Sequence, residues 1–157
     1  YVRHSDQFDQ GAFLRALSGV VAVEKIQSEM IAQTGPTRSG QFIMLLGGEN
    51  YRLDFDRTRL PSERATNLDV SLLQNQILAP LLNIHDPRTD SRLGFLSGEL
   101  GLAGLSACCD KDSDVGFVCF PPTVEQLTNV ADKHQVMPPK STNFVPKARS
   151  GLFVRMF

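Results

Sequence analysis

QFIMLLGGENYRLDF, residues 41–55, gives the clearest local signal in the chain, because its pattern is that of two strands joined by a turn. An apolar run precedes a turn predicted over residues 47–50 (GGEN), and three apolar residues (Tyr51, Leu53 and Phe55) then alternate with polar ones. Such alternation is typical of a strand with one buried face, and glycine accepts the positive φ angles that tight hairpin turns require. We therefore predict an antiparallel β-hairpin here.

A second strand signal is VGFVCF, residues 115–120, an unbroken apolar run typical of a central strand that is covered on both faces. Prolines end this run, and Thr123 with Gln126 then has the spacing of a helix capping box. A strand predicted at 92–98, a short helix, VGFVCF and the capped helix give a βαβ unit over residues 92–134, with a right-handed crossover. The predicted fold is α/β, with α+β as the alternative, built on a mixed sheet with this unit, the hairpin and flanking helices.

The two ends of the chain also carry recognisable patterns. Asp9 opens a helical pattern that Gly19 ends, and VVAVEKI, residues 20–26, reads as a strand. Two apolar segments, 143–148 and 151–157, are predicted to be terminal strands.

LDVSLLQNQILAPLLNI, residues 68–84, predicts a helix between the hairpin and the βαβ unit. Asp69 has the residue type and position of its N-terminal cap. Pro80 removes one backbone hydrogen bond, so we expect it to kink or end the helix.

Composition places the chain among single-domain globular proteins. It has 157 residues, 41% of them hydrophobic and 21% charged, with a net charge of −1. A dedicated nucleic-acid surface is normally strongly basic, so nucleic acid is an unlikely partner, and no apolar run has the roughly 20 residues that cross a bilayer. The three cysteines, two of them adjacent, fit neither a disulfide framework nor a zinc site, and no metal is expected. We expect a cytoplasmic protein, of which this chain is the C-terminal part.

MPPKSTNFVPKARSG, residues 137–151, is the segment in which we predict a binding site. Lysine, serine and threonine in sequence resemble the end of a phosphate-binding P-loop, but prolines stand where that loop needs glycines, which excludes a true P-loop. Prolines restrict the segment before a ligand arrives and so reduce the ordering cost of binding. The alternative, favoured by composition alone, is a set of solvated loop charges. The predicted anion-binding residues are Lys140, Ser141, Thr142, Lys147 and Arg149.

A second polar cluster precedes the strand predicted at 92–98. Its members are His85, Asp86, Arg88 and Asp90. A histidine beside a carboxylate is suited to acid–base chemistry or to metal binding. Alternating charges in a loop are more often a set of surface ion pairs, and this remains the favoured interpretation.

Four blocks together resemble the C-terminal part of a widespread, uncharacterised bacterial family that is often labelled SpoOJ/ParA/ParB/RepB-like. They are residues 8–26, 68–84, 115–132 and 137–152. Longer members are similar to nucleotide-binding proteins in an upstream half, and some relatives of that fold transfer phosphoryl groups. The resemblance implies that this chain binds a nucleotide or phosphorylated metabolite in a cleft shared with its own N-terminal half.

Two alternatives to ligand binding stay open. One is a structural or dimerisation domain, with a homodimer as the expected assembly. The other, ranked last, is a ParB-like protein associated with DNA, which neither the charge balance nor a recognition helix supports.

Overall fold

A computed structural model describes residues 1–3, 8–27, 35–56, 68–109 and 115–142. The described strands are β1 (Ala22–Ile26), β2 (Gln41–Leu46), β3 (Glu49–Asp54) and β4 (Val115–Cys119). They form one four-stranded sheet in the order β1-β3-β2-β4, and every pairing is antiparallel. The predicted combination of helices with a sheet is confirmed, whereas the described sheet is antiparallel rather than mixed, which makes the fold α+β. The predicted strands at 143–148 and 151–157 lie outside the described residues.

The hairpin is confirmed, but its turn is shorter than the predicted turn over residues 47–50, because Glu49 and Asn50 belong to β3. Leu46 pairs with Glu49 across a two-residue turn, in which Gly47 and Gly48 have φ angles of 58° and 77°. Positive φ at both central positions is the geometry that matches the twist of paired strands, and it favours glycine. All six residues of β2 are buried, so this strand requires cover on both faces of the sheet.

Helices provide that cover. On one face lie α1 (Gln10–Ser18) and a continuous helix over residues 69–82, whose buried side chains share one core with those of β2 and β3. On the other face lies α4 (Gly101–Cys109), whose Leu105 packs with Ile43 and Leu45 of β2. A Cβ atom at Gly116 of β4 would lie 2.6 Å from the Cys109 sulfur, so α4 approaches this strand closely.

The helix over residues 69–82 consists of α2 (Asp69–Leu73), a π-helical segment (Gln74–Leu78) and α3 (Ala79–Leu82). Of the two outcomes predicted for Pro80, a kink or an end of the helix, the end does not occur there, because the helix continues to Leu82 and stops at Asn83, which has a left-handed conformation. Pro80 is accommodated in the first turn of α3, directly after the π-helical segment.

The prediction that Asp69 caps this helix is also wrong. The cap position is Leu68, and Asp69 is the first helical residue. Its carboxylate accepts hydrogen bonds from Ser39 and Gly40, 29–30 residues earlier in the chain.

The prediction of a central VGFVCF strand is corrected by the sheet order, in which β4 stands at one end of the described strands and β2 lies inside. Its apolar run has a different cause: the side chains of Val115, Phe117 and Cys119 pack on one core and that of Val118 on the other. An unbroken apolar sequence therefore indicates a strand whose two faces are both covered. It does not require that the strand have a neighbouring strand on each side.

The predicted βαβ unit over residues 92–134 is wrong as well. In the segment expected to form its first strand, Leu93 makes a single antiparallel bridge with Val2, and the residues at 94–97 belong to no strand. A 3₁₀ turn (Gly98–Leu100) leads into α4, so a loop rather than a parallel strand precedes the helix.

The capping box is confirmed at the start of α5 (Val124–Asp132). The Gln126 N–H donates to the Thr123 hydroxyl oxygen at 3.1 Å, and the Thr123 N–H donates to the Gln126 side-chain oxygen at 2.9 Å. Both hydrogen bonds that the sequence pattern predicts have normal donor–acceptor distances.

Replacing Thr123 with alanine is expected to lower the free energy of unfolding by about 1 kcal/mol, because one N–H group of the first helical turn loses its acceptor. Urea denaturation measures this change. The matched control is Thr128→Ala, since the Thr128 hydroxyl donates to helix carbonyls that already have other partners. Equal effects of the two substitutions would show that the cap contributes nothing specific.

Candidate functional site: a cleft beside strand β4

A cleft of about 1780 Å³ runs beside β4. Residues 117–120 line it together with four neighbouring segments: 68–78, 93–106, 121–127 and 137–142. Side chains on both faces of β4 line the cleft, so the cleft runs along this strand at the end of the described sheet. A concave surface of this size, lined mainly by apolar side chains, is the first place to look for a ligand.

Apolar side chains dominate the cleft and continue onto its rim. Phe95, Leu100 and Val124 all line it, with exposed fractions of 44%, 56% and 75%. Side chains of this size are usually buried, and several of them around one cavity typically mark a binding surface.

The segment 137–142 forms part of the wall and contains a tight turn. The Ser141 N–H donates to the Pro138 carbonyl at 3.3 Å, and the Ser141 hydroxyl donates to the same oxygen at 2.7 Å. Lys140 has a φ angle of 55°, as expected at the third position of a turn that has proline at its second. The turn therefore holds the Lys140 backbone in a fixed and uncommon conformation.

Three of the five predicted anion-binding residues, Lys140, Ser141 and Thr142, line this cleft. Lys140 and Thr142 are exposed and Ser141 is half-buried. The Ser141 hydroxyl proton is already committed to Pro138, so Ser141 offers a ligand only an acceptor oxygen. Lys147 and Arg149 lie outside the described residues.

Two polar features of the cleft were missed at the level of sequence. The first is the contact between Ser39 and Asp69, whose hydroxyl and carboxylate oxygens are 2.6 Å apart. Asp69 is 5% exposed and also accepts the Gly40 N–H at 2.9 Å. An aspartate at the start of a helix reads as a cap, so no local signal pointed to this long-range contact.

The second is Gln74, the first residue of the π-helical segment. Its side-chain N–H donates to the Ile84 carbonyl at 2.7 Å, which fixes the orientation of the amide. The amide oxygen is buried and has no hydrogen-bond partner within the part of the chain that the structure describes. Unpartnered buried acceptors are uncommon, and π-helical segments occur frequently near functional sites.

The second polar cluster stabilises the fold. The Asp86 carboxylate accepts the Arg88 N–H, and the Asp90 carboxylate binds the Arg92 side chain at 2.7 Å. Arg92 also donates to the carbonyls of Leu82 and Asn83, at the end of the 69–82 helix. Its side-chain hydrogen bonds lower the pKa of the Asp90 carboxyl.

No catalytic grouping appears around the histidine of this cluster. His85 is exposed and contacts the Asn83 side chain at 2.8 Å. Of the cluster 85–90, only Pro87 is among the residues that line the cleft. Across the described segments, His, Cys, Asp and Glu side chains form no group of three placed to hold a metal ion.

The cleft also contains a thiol, Cys119, which packs against the main core. Burial, with a smaller contribution from the Asp69 carboxylate, raises the pKa of Cys119 to about 12. Because the thiolate is the nucleophilic form, Cys119 is poorly suited to covalent catalysis at neutral pH. Within the described residues all three cysteines are free thiols.

The raised pKa of Cys119 predicts a pH dependence of stability. Between pH 9 and 12 the unfolded chain releases the thiol proton while the folded chain retains it, so rising pH favours unfolding. The stability difference between the wild type and Cys119→Ala should therefore shrink by up to about 1.4 kcal/mol per pH unit above pH 9. Urea denaturation at pH 8, 9 and 10 measures this difference in unfolding free energy. A difference that does not change with pH would show that the folded chain does not protect the Cys119 thiol from solvent.

Comparison with protein-family models, with curated proteins and with solved structures finds no match to this chain. The family resemblance therefore stays a prediction. None of the helices formed by the described residues combines the length and apolar character needed to span a membrane.

Proposed function

We propose that this chain is a ligand-binding domain whose cleft takes a small molecule with an anionic group, such as a nucleotide or phosphorylated metabolite. The observation that carries the proposal is the location of Lys140, Ser141 and Thr142 on the wall of one large cleft lined mainly by apolar side chains. An apolar cavity with a few polar groups at one side is the usual form of a small-molecule site.

Lys140 is the group suited to the anion. It is exposed, and no carboxylate among the described residues forms an ion pair with it. The Thr142 hydroxyl is exposed two residues further along the chain. Lysine binds phosphate as a point charge, and charge-assisted hydrogen bonds are about twice as strong as neutral ones.

The acidic residues of the cleft do not cancel this interaction. Asp69 is buried, and its two oxygens accept hydrogen bonds from Ser39 and Gly40. Glu99 is exposed at the start of the segment that leads into α4. We infer that an anion binds at the Lys140 side of the cleft, and that the apolar part of the ligand packs towards Phe95 and Phe117.

The resemblance to the ParB-like family supports the same proposal, because its longer members are similar to nucleotide-binding proteins in their upstream half. In that arrangement, Lys147 and Arg149 supply further positive charge, and the protein's own N-terminal half completes the cleft. A phosphoryl-transfer enzyme is one form that such a protein would take.

A structural or dimerisation domain is the second candidate. The specific observation in its favour is the exposed apolar rim, including Leu100 and Val124, which is the kind of surface that a second copy or an upstream half would cover. DNA association ranks third, since the net charge of −1 provides little attraction for a phosphate backbone.

Replacing Lys140 with methionine removes the charge and keeps most of the side-chain stem. Affinity for AMP, ATP or pyrophosphate, whichever binds the wild type, should fall about tenfold or more, while the melting temperature without ligand changes little. Isothermal titration and thermal shift measure the two quantities.

Lys133→Met is the matched control, because Lys133 is exposed but does not line the cleft. Equal losses for the two variants would mean that the protein binds anions through its overall charge. Absence of binding to all three probes, in this chain and in a longer one that contains it, would favour the structural role.

A further inference from the structure

The outer edge of β4 has backbone groups whose direction follows from one observed pairing. Val2 pairs with Val115 on the side away from β2: the Val2 N–H donates to the Val115 carbonyl at 2.8 Å, and the Val115 N–H donates back at 3.5 Å. Backbone N–H and C=O groups of alternate residues in a strand point to the same side. The N–H and C=O groups of Phe117 and Cys119 therefore point away from β2 too.

These outward groups lie next to the cleft. Phe117 and Cys119 both line it, and β2 bonds to the intervening residues Gly116 and Val118. Throughout the described segments, no backbone or side-chain group forms a hydrogen bond with the outward N–H and C=O groups of Phe117 and Cys119.

We propose that this edge of β4 binds an extended peptide segment of a partner protein, which adds to the sheet as a further strand. An occupant that covers the edge must supply donors and acceptors to Phe117 and Cys119, since unpaired backbone groups are costly when water is removed. Only an extended backbone repeats both groups at the strand spacing of roughly 6.8 Å per two residues.

The residues on either side of the β4 edge determine which side chains this peptide must carry. The segment around Leu73 and Leu78 lies on one face of β4, and that around Leu102 and Leu105 on the other, and all four residues line the cleft. A strand added here directs its side chains alternately to these two apolar walls. The partner segment is therefore apolar and extended, as in other cases of strand addition.

The cleft has room for this peptide as well as for the anion. Small-molecule pockets measure about 300–1,000 Å³, whereas this cleft measures about 1780 Å³. The strand edge uses backbone groups of β4, and the anion uses the side chain of Lys140. The inference consequently goes beyond the proposed function and does not depend on it.

Hydrogen exchange of the chain without any ligand is the first test. The amides of Phe117 and Cys119 should exchange at least tenfold faster than those of Gly116 and Val118, whose N–H groups bond within the sheet. Protection of all four amides to the same degree would show that the edge is already covered, and would overturn the proposal.

The second test uses the peptide acetyl-Glu-Val-Thr-Val-Thr-Val-Glu-amide as a probe. Its addition should slow the exchange of Phe117 and Cys119 with a saturable concentration dependence, and leave Gly116 and Val118 unchanged. N-methylation of its three valines or of its two threonines removes N–H groups from one side of the added strand only. One of these two modifications should weaken binding at least tenfold, and the other by less than twofold.

The protein variant Lys140→Met separates this inference from the anion site. It should leave binding of the unmodified peptide within twofold, because the edge contacts are made by backbone. Equal effects of the two N-methylated peptides, or no protection of Phe117 and Cys119 at millimolar peptide, would overturn the proposal whether or not Lys140 binds anions.

Discussion

Burial of strand β2 on both faces is the constraint on which the rest of the structure depends. All six of its residues are buried, with Phe42, Met44 and Leu46 on one side and Ile43 and Leu45 on the other. Apolar burial is the main favourable term in folding, so two layers of helices must cover this strand. Helix α1 and the 69–82 helix form one layer, and α4 forms the other.

The cleft follows from the same arrangement. Both layers extend beyond β2 to β4, and the only described residues that pair with the outer side of β4 are those around Val2, at one end of the strand. The segments that follow β4, including the turn at Pro138–Ser141, return to the same side of the molecule and complete the wall. Among the described residues, a covered strand whose outer edge is paired only near Val2 thus provides apolar surface and backbone groups in the same cavity as Lys140.

Local features of the fold could be predicted from the sequence, whereas relations between distant segments could not. The hairpin and the capping box depend on residues within a few positions of each other, and both were predicted correctly except for the length of the hairpin turn. The position of β4 was predicted wrongly, because an apolar run is equally expected for a strand covered by two helical layers. The role of Asp69 was also wrong, since its partners lie 29–30 residues away.

In the candidate site, too, local features could be predicted from the sequence and long-range contacts could not. Composition pointed to Lys140, Ser141 and Thr142 because charge and prolines are concentrated there, and the fold brings these residues to the cleft. The Gln74 oxygen, which has no partner among the described residues, and the outward backbone groups of β4 could not be predicted from the sequence, since both result from how segments pack. The cluster around Asp90 was ambiguous until the contacts of Arg92 with the helix end were known.

Helix α4 packs directly on β4 and so covers the second face of the sheet. The most direct measurement compares the unfolding free energies of Gly116→Ala and Gly98→Ala. A Cβ at Gly116 would lie 2.6 Å from the Cys109 sulfur and 2.9 Å from Leu105, whereas at Gly98 it meets no atom of the described residues within 4 Å. We expect a loss of about 1–3 kcal/mol for Gly116→Ala and less than about 0.5 kcal/mol for Gly98→Ala. Equal effects of the two substitutions would contradict direct packing of α4 on β4.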